Sequence, residues 1–411
     1  MSDPILDLFN HSIGVQSPWD VASVEFSKEN KRLDVTVEYR KGTKFSCPNC
    51  NSENVDIYDR ETRSWRHLNH FQHDTYIHAC VPRIWCHDCS KHKGGGVLTI
   101  EIPWARKRGH FTYGFEGFVL QLAREMPVLA VARLVGEHDT RIWRIVNHYV
   151  KQARESQDFS GVHHIAVDET STASGHNYVT VIADTTQKRV IFVTPGKDSS
   201  TLERFVEDFG LHGGDASQIE TVCSDMSPAF ISGVQKQFPE ASLTFDKFHV
   251  TKVIGEAVDK VRREEQRTQP LLKQSRYIWL KNERNLTSKQ KSLLEQLRYL
   301  NLKTAKAYRM MMTFKELWTQ PQEIAKMFLD KWYFWATHSR LQPMIDVAKT
   351  IRRHQDGILS WFKSGANNAL LESMNSLIQA MKRRAKGYRN VENYISIIYL
   401  LLGKLSFDLP T

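Results

Sequence analysis

The sequence predicts a mixed α/β protein built in four consecutive pieces: a cysteine-bearing β domain, a helical pair, a sheet flanked by helices, and a long all-helical region. Three observations carry this. Before residue 105 the chain shows period-two alternation and two CxxC pairs; from about 110 to 155 it has helical periodicity broken at a glycine; from about 161 to 250 strands alternate with helices, and beyond that strand signals vanish. The 411 residues suffice for roughly two to four domains. With 41% hydrophobic and 25% charged residues, global disorder is excluded. No uncharged apolar run approaches the roughly 18 residues of a membrane span. The start, MSDPILDLFNHSIG, lacks a basic segment before an apolar stretch, so no secretory leader is expected. Lysine plus arginine exceed aspartate plus glutamate by 56 to 46, a net charge of +10 that suits a polyanionic partner.

In the first piece, VASVEFSKENKRLDVTVEYR alternates apolar and polar residues around a polar turn at Lys28 to Lys31, the pattern of a β-hairpin. The alternating DTYIHACVPRIW predicts a further strand, and a glycine run at Gly94 to Gly96 leads to Pro103. In the second piece FTYGFEGFVLQLARE is one amphipathic helix. MPVLAVARLVGEHDTRIWRIVNHYVKQA holds two more, broken at Gly136 to Asp139 in the manner of a helix-turn-helix. The last of these helices carries Arg141, Arg144, His148 and Lys151 beside apolar Ile142, Ile145 and Tyr149. On periodicity alone this motif is weakly specific. The third piece reads strand HHIAVDET, hairpin NYVTVIADTTQKRVIFVTPG turning at Thr185 to Lys188, helix DSSTLERFVEDFGLHG, strand IETVCSDM, helix SPAFISGVQKQFPEA and a fifth strand SLTFDKFHV. The final region is rich in lysine, arginine and tryptophan.

Five of the six cysteines lie in the first quarter of the chain, four of them as CPNC (Cys47, Cys50) and CHDC (Cys86, Cys89). Two such knuckles supply four thiolates at the tetrahedral geometry of structural zinc, in a reducing compartment. Cys80, His78 and His87 compete for one ligand position, whereas Cys223 reads as a small buried hydrophobe. Arg60, Arg63, Arg66, His67 and Arg83 are expected on the surface of this domain, as DNA-phosphate contacts or as a solvated face.

Three carboxylates stand out by position. Asp168 and Asp225 end apolar strands, where an α/β sheet places its reacting groups, and Glu372 lies in the late helix NNALLESMNSLIQAMKRR. Three such groups suffice to hold two Mg²⁺ ions, which activate an attacking oxygen and stabilise a leaving one in phosphodiester chemistry. Glu169, Asp184, Asp198 and above all Asp246 are rivals, and an ordinary capping role is open for each aspartate.

Taken in order, CPNC and CHDC, RLVGEHDTRIWRIV, VDET, CSDMSPAF, FDKFHV, WLKNERNLT and NALLESMNSLIQAMKRRAKGYRNVENY resemble the bacterial DDE transposases of insertion-sequence family L-three (ISL3) over nearly the whole chain. The resemblance implies a ribonuclease-H-like catalytic domain with an all-helical insertion, preceded by a zinc-ribbon β domain and a helix-turn-helix that bind the element's terminal inverted repeats. It places the ribbon at 1–105, the helix-turn-helix at 106–158, the first part of the catalytic core at 159–250, the insertion at 251–362 and the completing helices at 363–411. It also implies Asp168, Asp225 and Glu372 as the catalytic, Mg²⁺- or Mn²⁺-binding triad, with Ser373 where the family usually carries glycine. Cys47, Cys50, Cys86 and Cys89 would hold Zn²⁺. Water would cleave a phosphodiester at the element end, and the freed 3′-hydroxyl would attack target DNA.

Arg141, Arg144, Lys382, Arg383, Arg384, Lys386 and Arg389 are expected to contact DNA. Trp279, Trp318, Trp332, Trp335 and Trp361 are expected chiefly in the core, with base stacking as the alternative. The expected setting is the bacterial cytoplasm, near the nucleoid, as a homodimer or larger assembly when two ends are joined. Two other functions stand open at this stage: a decayed transposase acting as a DNA-binding regulator, and a nuclease that cuts without joining.

Overall fold

The structure, a computed structural model, describes residues 4–89, 96–172, 177–281, 283–364 and 369–407. Gly94, Gly95, Asn367 and Asn368, singled out in the sequence, lie outside these. The chain packs as two units, one running to Tyr149 and taking in Ser406 onward, the other Val150–Leu405.

The first unit opens with α1 (Pro4–Ile13), a helix that strand alternation did not reveal, which packs on β1 and buries Phe9. A five-stranded sheet follows: β1 (Trp19–Ser27), β2 (Arg32–Tyr39), β3 (Val55–His70), β4 (His73–Cys86) and β5 (Val97–Thr99). The spatial order is β1-β2-β4-β3, with β5 paired to β4. The predicted hairpin is β1–β2, closed at Lys28–Lys31. Leu33, Val35 and Val37, every second residue of β2, are buried, which fixes its register. Strand β4 runs parallel to β2 and antiparallel to β3. Trp104 meets both Trp19 and Trp65 edge-on, at 5.1 and 5.6 Å, in the centre of this core. Next come α2 (Tyr113–Glu125), α3 (Val128–Val135) and α4 (Asp139–Glu155). Gly136 closes α3 at φ 71°, a left-handed position that an L side chain enters only with strain, so the helix break falls at the predicted glycine.

The second unit is built on β6 (His164–Ser171), β7 (Tyr178–Asp184), β8 (Arg189–Pro195), β9 (Thr221–Ser224) and β10 (Ser242–Phe245), with α5 (Ser200–Leu211) and α6 (Pro228–Gln237) between strands. The order is β10-β9-β6-β7-β8; β7 is antiparallel to β6 and β8, and β9 and β10 run parallel to β6. This is the mixed sheet that the alternation of strands and helices predicted. Ile165, Val167 and Val222 share a core with Leu202, Phe205 and Phe209 of α5 and Phe230 and Val234 of α6. The fifth strand is shorter than expected. It stops at Phe245, because Asp246 caps a helix by accepting the His249 N–H, and Lys247 to Val250 are helical.

That helix, α7 (Lys247–Glu265), starts the helical region, which continues through α8 (Arg276–Leu280), α9 (Ser288–Arg298), α10 (Lys303–Lys315), α11 (Gln322–Thr337), α12 (Gln342–Arg353) and α13 (Gln355–Ser364). Helices α14 (Ala369–Arg384) and α15 (Val391–Leu402) then return to β6 and β8. Among the described residues no strand follows Phe245, and no helix is long and apolar enough to cross a membrane. Trp279 and Trp332 are core residues whose ring N–H groups donate to Ser275 Oγ and the Met310 carbonyl. Trp318 packs edge-on against Trp361, and Trp335 stays partly exposed. Helix α13 touches β10 where Gly357 meets the Phe245 ring; a Cβ there would lie 2.4 Å from Phe245 Cε2. Gly357→Ala is therefore expected to cost about 1–3 kcal/mol by overpacking, read as a lowered melting temperature.

Candidate functional site

The four knuckle cysteines converge. Their sulfurs all lie within 4.8 Å of one another, with Cys47–Cys89 at 3.7 Å, Cys50–Cys86 at 3.6 Å and Cys50–Cys89 at 3.4 Å. Zinc–sulfur bonds of about 2.3 Å at tetrahedral angles separate sulfurs by about 3.8 Å, so the cage has the size of a zinc site. Cys86 ends β4 and Cys47 sits in the loop before β3; both are buried in the β core. Burial opposes ionisation of Cys47, but the backbone N–H groups of Asn49 and Cys50 bring its thiol down to about 7, a value suited to a thiolate ligand. The competitors stand aside. His78 bonds Asp34 and Ser64, His87 bonds Asp56, and Cys80 is outside the group. Cys223 is buried in β9, as expected.

Of the basic residues expected on this unit's surface, Arg60 is exposed, Arg63, His67 and Arg83 are half-buried, and Arg66 is buried and needs correction. Arg66 is 3% exposed, because its guanidinium is spent on Asp74, Asn69 and two backbone carbonyls. His67 bonds Thr112, and burial pulls its imidazole down to about 4, so it carries no charge at neutral pH. Arg83 pairs with Asp59, and Arg60 donates to the Tyr39 hydroxyl. Arg63 lies over the Trp65 ring. On α4, Ile142, Ile145 and Tyr149 are buried while Arg144, His148 and Lys151 are exposed. Arg141 is half-buried, bonded to Glu137 and stacked over Phe111.

In the sheet unit, register brings the aspartates together. Ala166 pairs with Cys223, and Cys223 with Thr244, across the three parallel strands β6, β9 and β10. Two residues further along lie Asp168, still within β6, and Asp225 and Asp246, each the first residue past the end of β9 and β10. Asp168 does not itself end β6, which continues to Ser171 by pairing with β7; it lies two residues past the last β6 pair with β9, Ala166–Cys223. Glu372 arrives on α14, whose contact with the sheet is β6. His249 lies among these carboxylates, its Nδ1 2.9 Å from Asp246 Oδ2. It acts on Asp168, Glu169 and Glu372, as do Lys247 on Glu372 and Lys197 and Lys252 on Glu169. Asp246 would be raised by burial, but the bond from His249 holds it below the usual carboxylate range. The same bond raises His249. Burial, reinforced by the negative charge of Asp225, pushes Asp168 up to about 6 against the stabilising Glu169 N–H. Glu372 is raised by burial and then by Asp246.

The rival aspartates have local duties. Asp184 Oδ1 accepts from the Thr186 and Gln187 N–H groups in the hairpin turn, and Asp198 caps α5 through the Ser200 N–H. Asp225 itself accepts from the Ser227 N–H before α6. Two side chains that sequence reasoning left unassigned join the group: His249, one helical turn after Asp246, and Asn375, one turn after Glu372. Asn375 Nδ2 donates to Asp168 Oδ2 at 2.7 Å. Two buried acceptors here have no donor, Glu372 Oε1 and Asn375 Oδ1. Leaving such an atom unsatisfied costs about 1–3 kcal/mol. Carboxylate and amide oxygens are the hard donors that magnesium or manganese prefers, but among the described residues only the four cysteines already stand close enough together to hold an ion. Ser373 is exposed on α14, so the position where glycine is usual adds no packing conflict. Beyond the site, Lys382 Nζ donates to the Ser171 carbonyl, while Arg383, Arg384, Lys386 and Arg389 are exposed.

Known families match the cysteine-bearing segment, the helical pair and the sheet-bearing unit. A model described as a transposase matches residues 165–398, one for the helix-turn-helix domain of transposase family ISL3 matches 100–150, and one for the zinc-finger of the transposases of IS204, IS1001, IS1096 and IS1165 matches 43–89. The class is thus that of insertion-sequence transposases with a zinc ribbon and a helix-turn-helix. The chain is 28% identical to the transposase for insertion sequence element IS1001 of Bordetella parapertussis, over 85% of this chain and 86% of that one. It is 27% identical to the transposase for IS1557 of Mycobacterium tuberculosis, over 98% and 97%. The chain belongs to transposase family ISL3.

Proposed function

We propose that this transposase binds the terminal inverted repeats of an insertion sequence and cleaves and joins DNA with divalent-metal help, through Asp168, Asp225 and Glu372 on a ribonuclease-H-like core. The aspartates within β6 and just past β9 and β10, together with a helix-borne glutamate with an unsatisfied buried oxygen, carry the reading. The strand order β10-β9-β6-β7-β8, with its antiparallel β6–β7–β8 meander, supports the ribonuclease-H-like assignment. When bound, a pair of Mg²⁺ or Mn²⁺ ions activates the attacking oxygen and stabilises the leaving one. Asp168, Asp225 and Glu372 would hold them. His249, whose tendency to carry a proton is raised by its bond to Asp246, lies beside these carboxylates. In the first step water attacks phosphorus, the bond to the 3′-oxygen breaks, and a 3′-hydroxyl and a 5′-phosphate result. In the second that hydroxyl attacks a target phosphodiester and displaces a new 3′-hydroxyl. No serine or tyrosine need bond to DNA.

End recognition falls to the ribbon held by Cys47, Cys50, Cys86 and Cys89 and to the exposed side of α4. Phosphate contacts are assigned to Arg144 there, to Arg383 and Arg384 in the last turn of α14 and to Lys386 and Arg389 beyond it, whereas Arg141 and Lys382 also serve their own fold. Joining two ends calls for a dimer or larger assembly. The deciding experiment incubates the purified protein with its element's end DNA and Mg²⁺ or Mn²⁺. Nicking followed by strand joining is expected; nicking alone would favour a nuclease, and binding without nicking a regulator. Arg144→Ala is expected to weaken end binding several-fold and lower the salt slope by about 1, with an unchanged circular dichroism spectrum. An unchanged salt slope would remove Arg144 from the interface.

A further inference from the structure

Helix α14 is tied to β6 by side-chain polar bonds. Glu372, Asn375, Gln379 and Lys382 fall within about 80° of arc on one helix face at 100° per residue. The last three donate in turn to Asp168 Oδ2 (2.7 Å), Thr170 Oγ1 (2.6 Å) and the Ser171 carbonyl (2.8 Å). Asp168 and Thr170 lie on one face of β6, so the helical repeat of the donors is matched to the two-residue repeat of the strand. Only the first of these bonds reaches a carboxylate of the site. It fixes one oxygen of Asp168 while the Glu169 N–H, at 2.8 Å, fixes the other. The Asn375 amide keeps its own oxygen buried and unpartnered, one turn from the equally unpartnered Glu372 Oε1.

We propose that Asn375 is a positioning residue: by clamping Asp168 to the helix that carries Glu372, it sets the affinity of the site for hard divalent cations. This rests on the carboxylate reading above. Groups that orient a metal ligand change metal affinity by about 10- to 100-fold when removed. Gln379 is the internal control. Its bond to Thr170 docks the same helix on the same strand but touches no carboxylate.

The test is titration of the zinc-loaded, full-length protein with Mn²⁺, following free Mn²⁺ by electron paramagnetic resonance, and counting only the sites that Asp168→Ala abolishes. Asn375→Ala is expected to raise the Mn²⁺ dissociation constant by about 10-fold or more. Its cleavage deficit should be large at limiting Mn²⁺ and shrink at saturating Mn²⁺. Gln379→Ala is expected to lower the metal-free melting temperature as much as Asn375→Ala does, each losing one bond to β6, while keeping Mn²⁺ affinity within about twofold, well below the change assigned to an orienting group. Asn375→Ser, which retains a polar group, repeats the measurement should the alanine chain fail to fold. Wild-type affinity in the Asn375 variants would overturn the proposal, as would equal weakening by Gln379→Ala, which would make the effect one of helix docking. If the wild-type protein shows no Asp168-dependent Mn²⁺ site, the carboxylate reading falls and this one with it.

Discussion

Asp168→Asn is expected to lower DNA cleavage by at least about 1,000-fold, leave end binding intact, and raise the melting temperature of the metal-free protein. The first two effects follow from the proposed division of labour, with chemistry at the carboxylates and end binding at the ribbon and α4. Loss of one essential group of a catalytic set costs this much in enzymes whose groups act as a unit. The third effect follows from burial. Asp168 is 7% exposed, its carboxyl is pushed up to about 6, and Asp225 adds like charge. An acid whose folded value lies above its unfolded one stabilises the fold below about pH 4 and loses that contribution as pH rises through 6. At pH 7.5 the full cost, of order 1–3 kcal/mol, is present in the wild type and absent from the isosteric amide. Asn375 can turn its unpartnered oxygen toward the new amide, so the contact survives. Differential scanning calorimetry with and without Mg²⁺ checks the sign: the ion should stabilise the wild type and not the variant. Undiminished nicking by Asp168→Asn would end the assignment of this residue.

Removal of zinc should be the largest effect on the first unit. A structural zinc ion contributes about 10–16 kcal/mol of apparent binding free energy, against about 5–15 kcal/mol of net stability for a typical domain. Cys47 and Cys86 are fully buried in the same core as Trp19, Trp65 and Ile84, so opening the cage opens the sheet. Cys86→Ser, or a strong chelator, should abolish the thermal transition of this unit and end binding with it. Atomic spectroscopy should find one zinc per chain in the wild type. Cys80→Ser, at an exposed position outside the cage, should leave both unchanged. A metal-free protein that still binds ends with undiminished affinity would show the cage to be dispensable.

Local pattern made much of this legible. Period-two alternation located β1 and β2, glycine located the turn between α3 and α4, and CxxC spacing located the cage. What stayed hidden depends on partners far apart in sequence. Nothing local distinguishes Arg66 from a surface arginine; its burial is decided by Asp74 and by the strands around it. The FDKFHV segment is apolar enough to extend a strand, yet the capping bond from Asp246 turns it into a helix. Asn375 shows no local pattern at all, because its meaning is a bond to a residue 207 positions earlier. Asp168 and Asp225 stand out in the sequence because they follow apolar strand segments, and Glu372 by its place in a late helix; the resemblance then joins the three into one set.

That long span between Asp168 and Asn375 has a consequence for how the enzyme is made. At about 5–20 residues per second, a ribosome needs roughly 10–40 s to travel from one to the other. On the carboxylate reading, the growing polypeptide lacks throughout that interval the helix that brings Glu372 and Asn375, so a product that stops short of α14 has no means of breaking DNA.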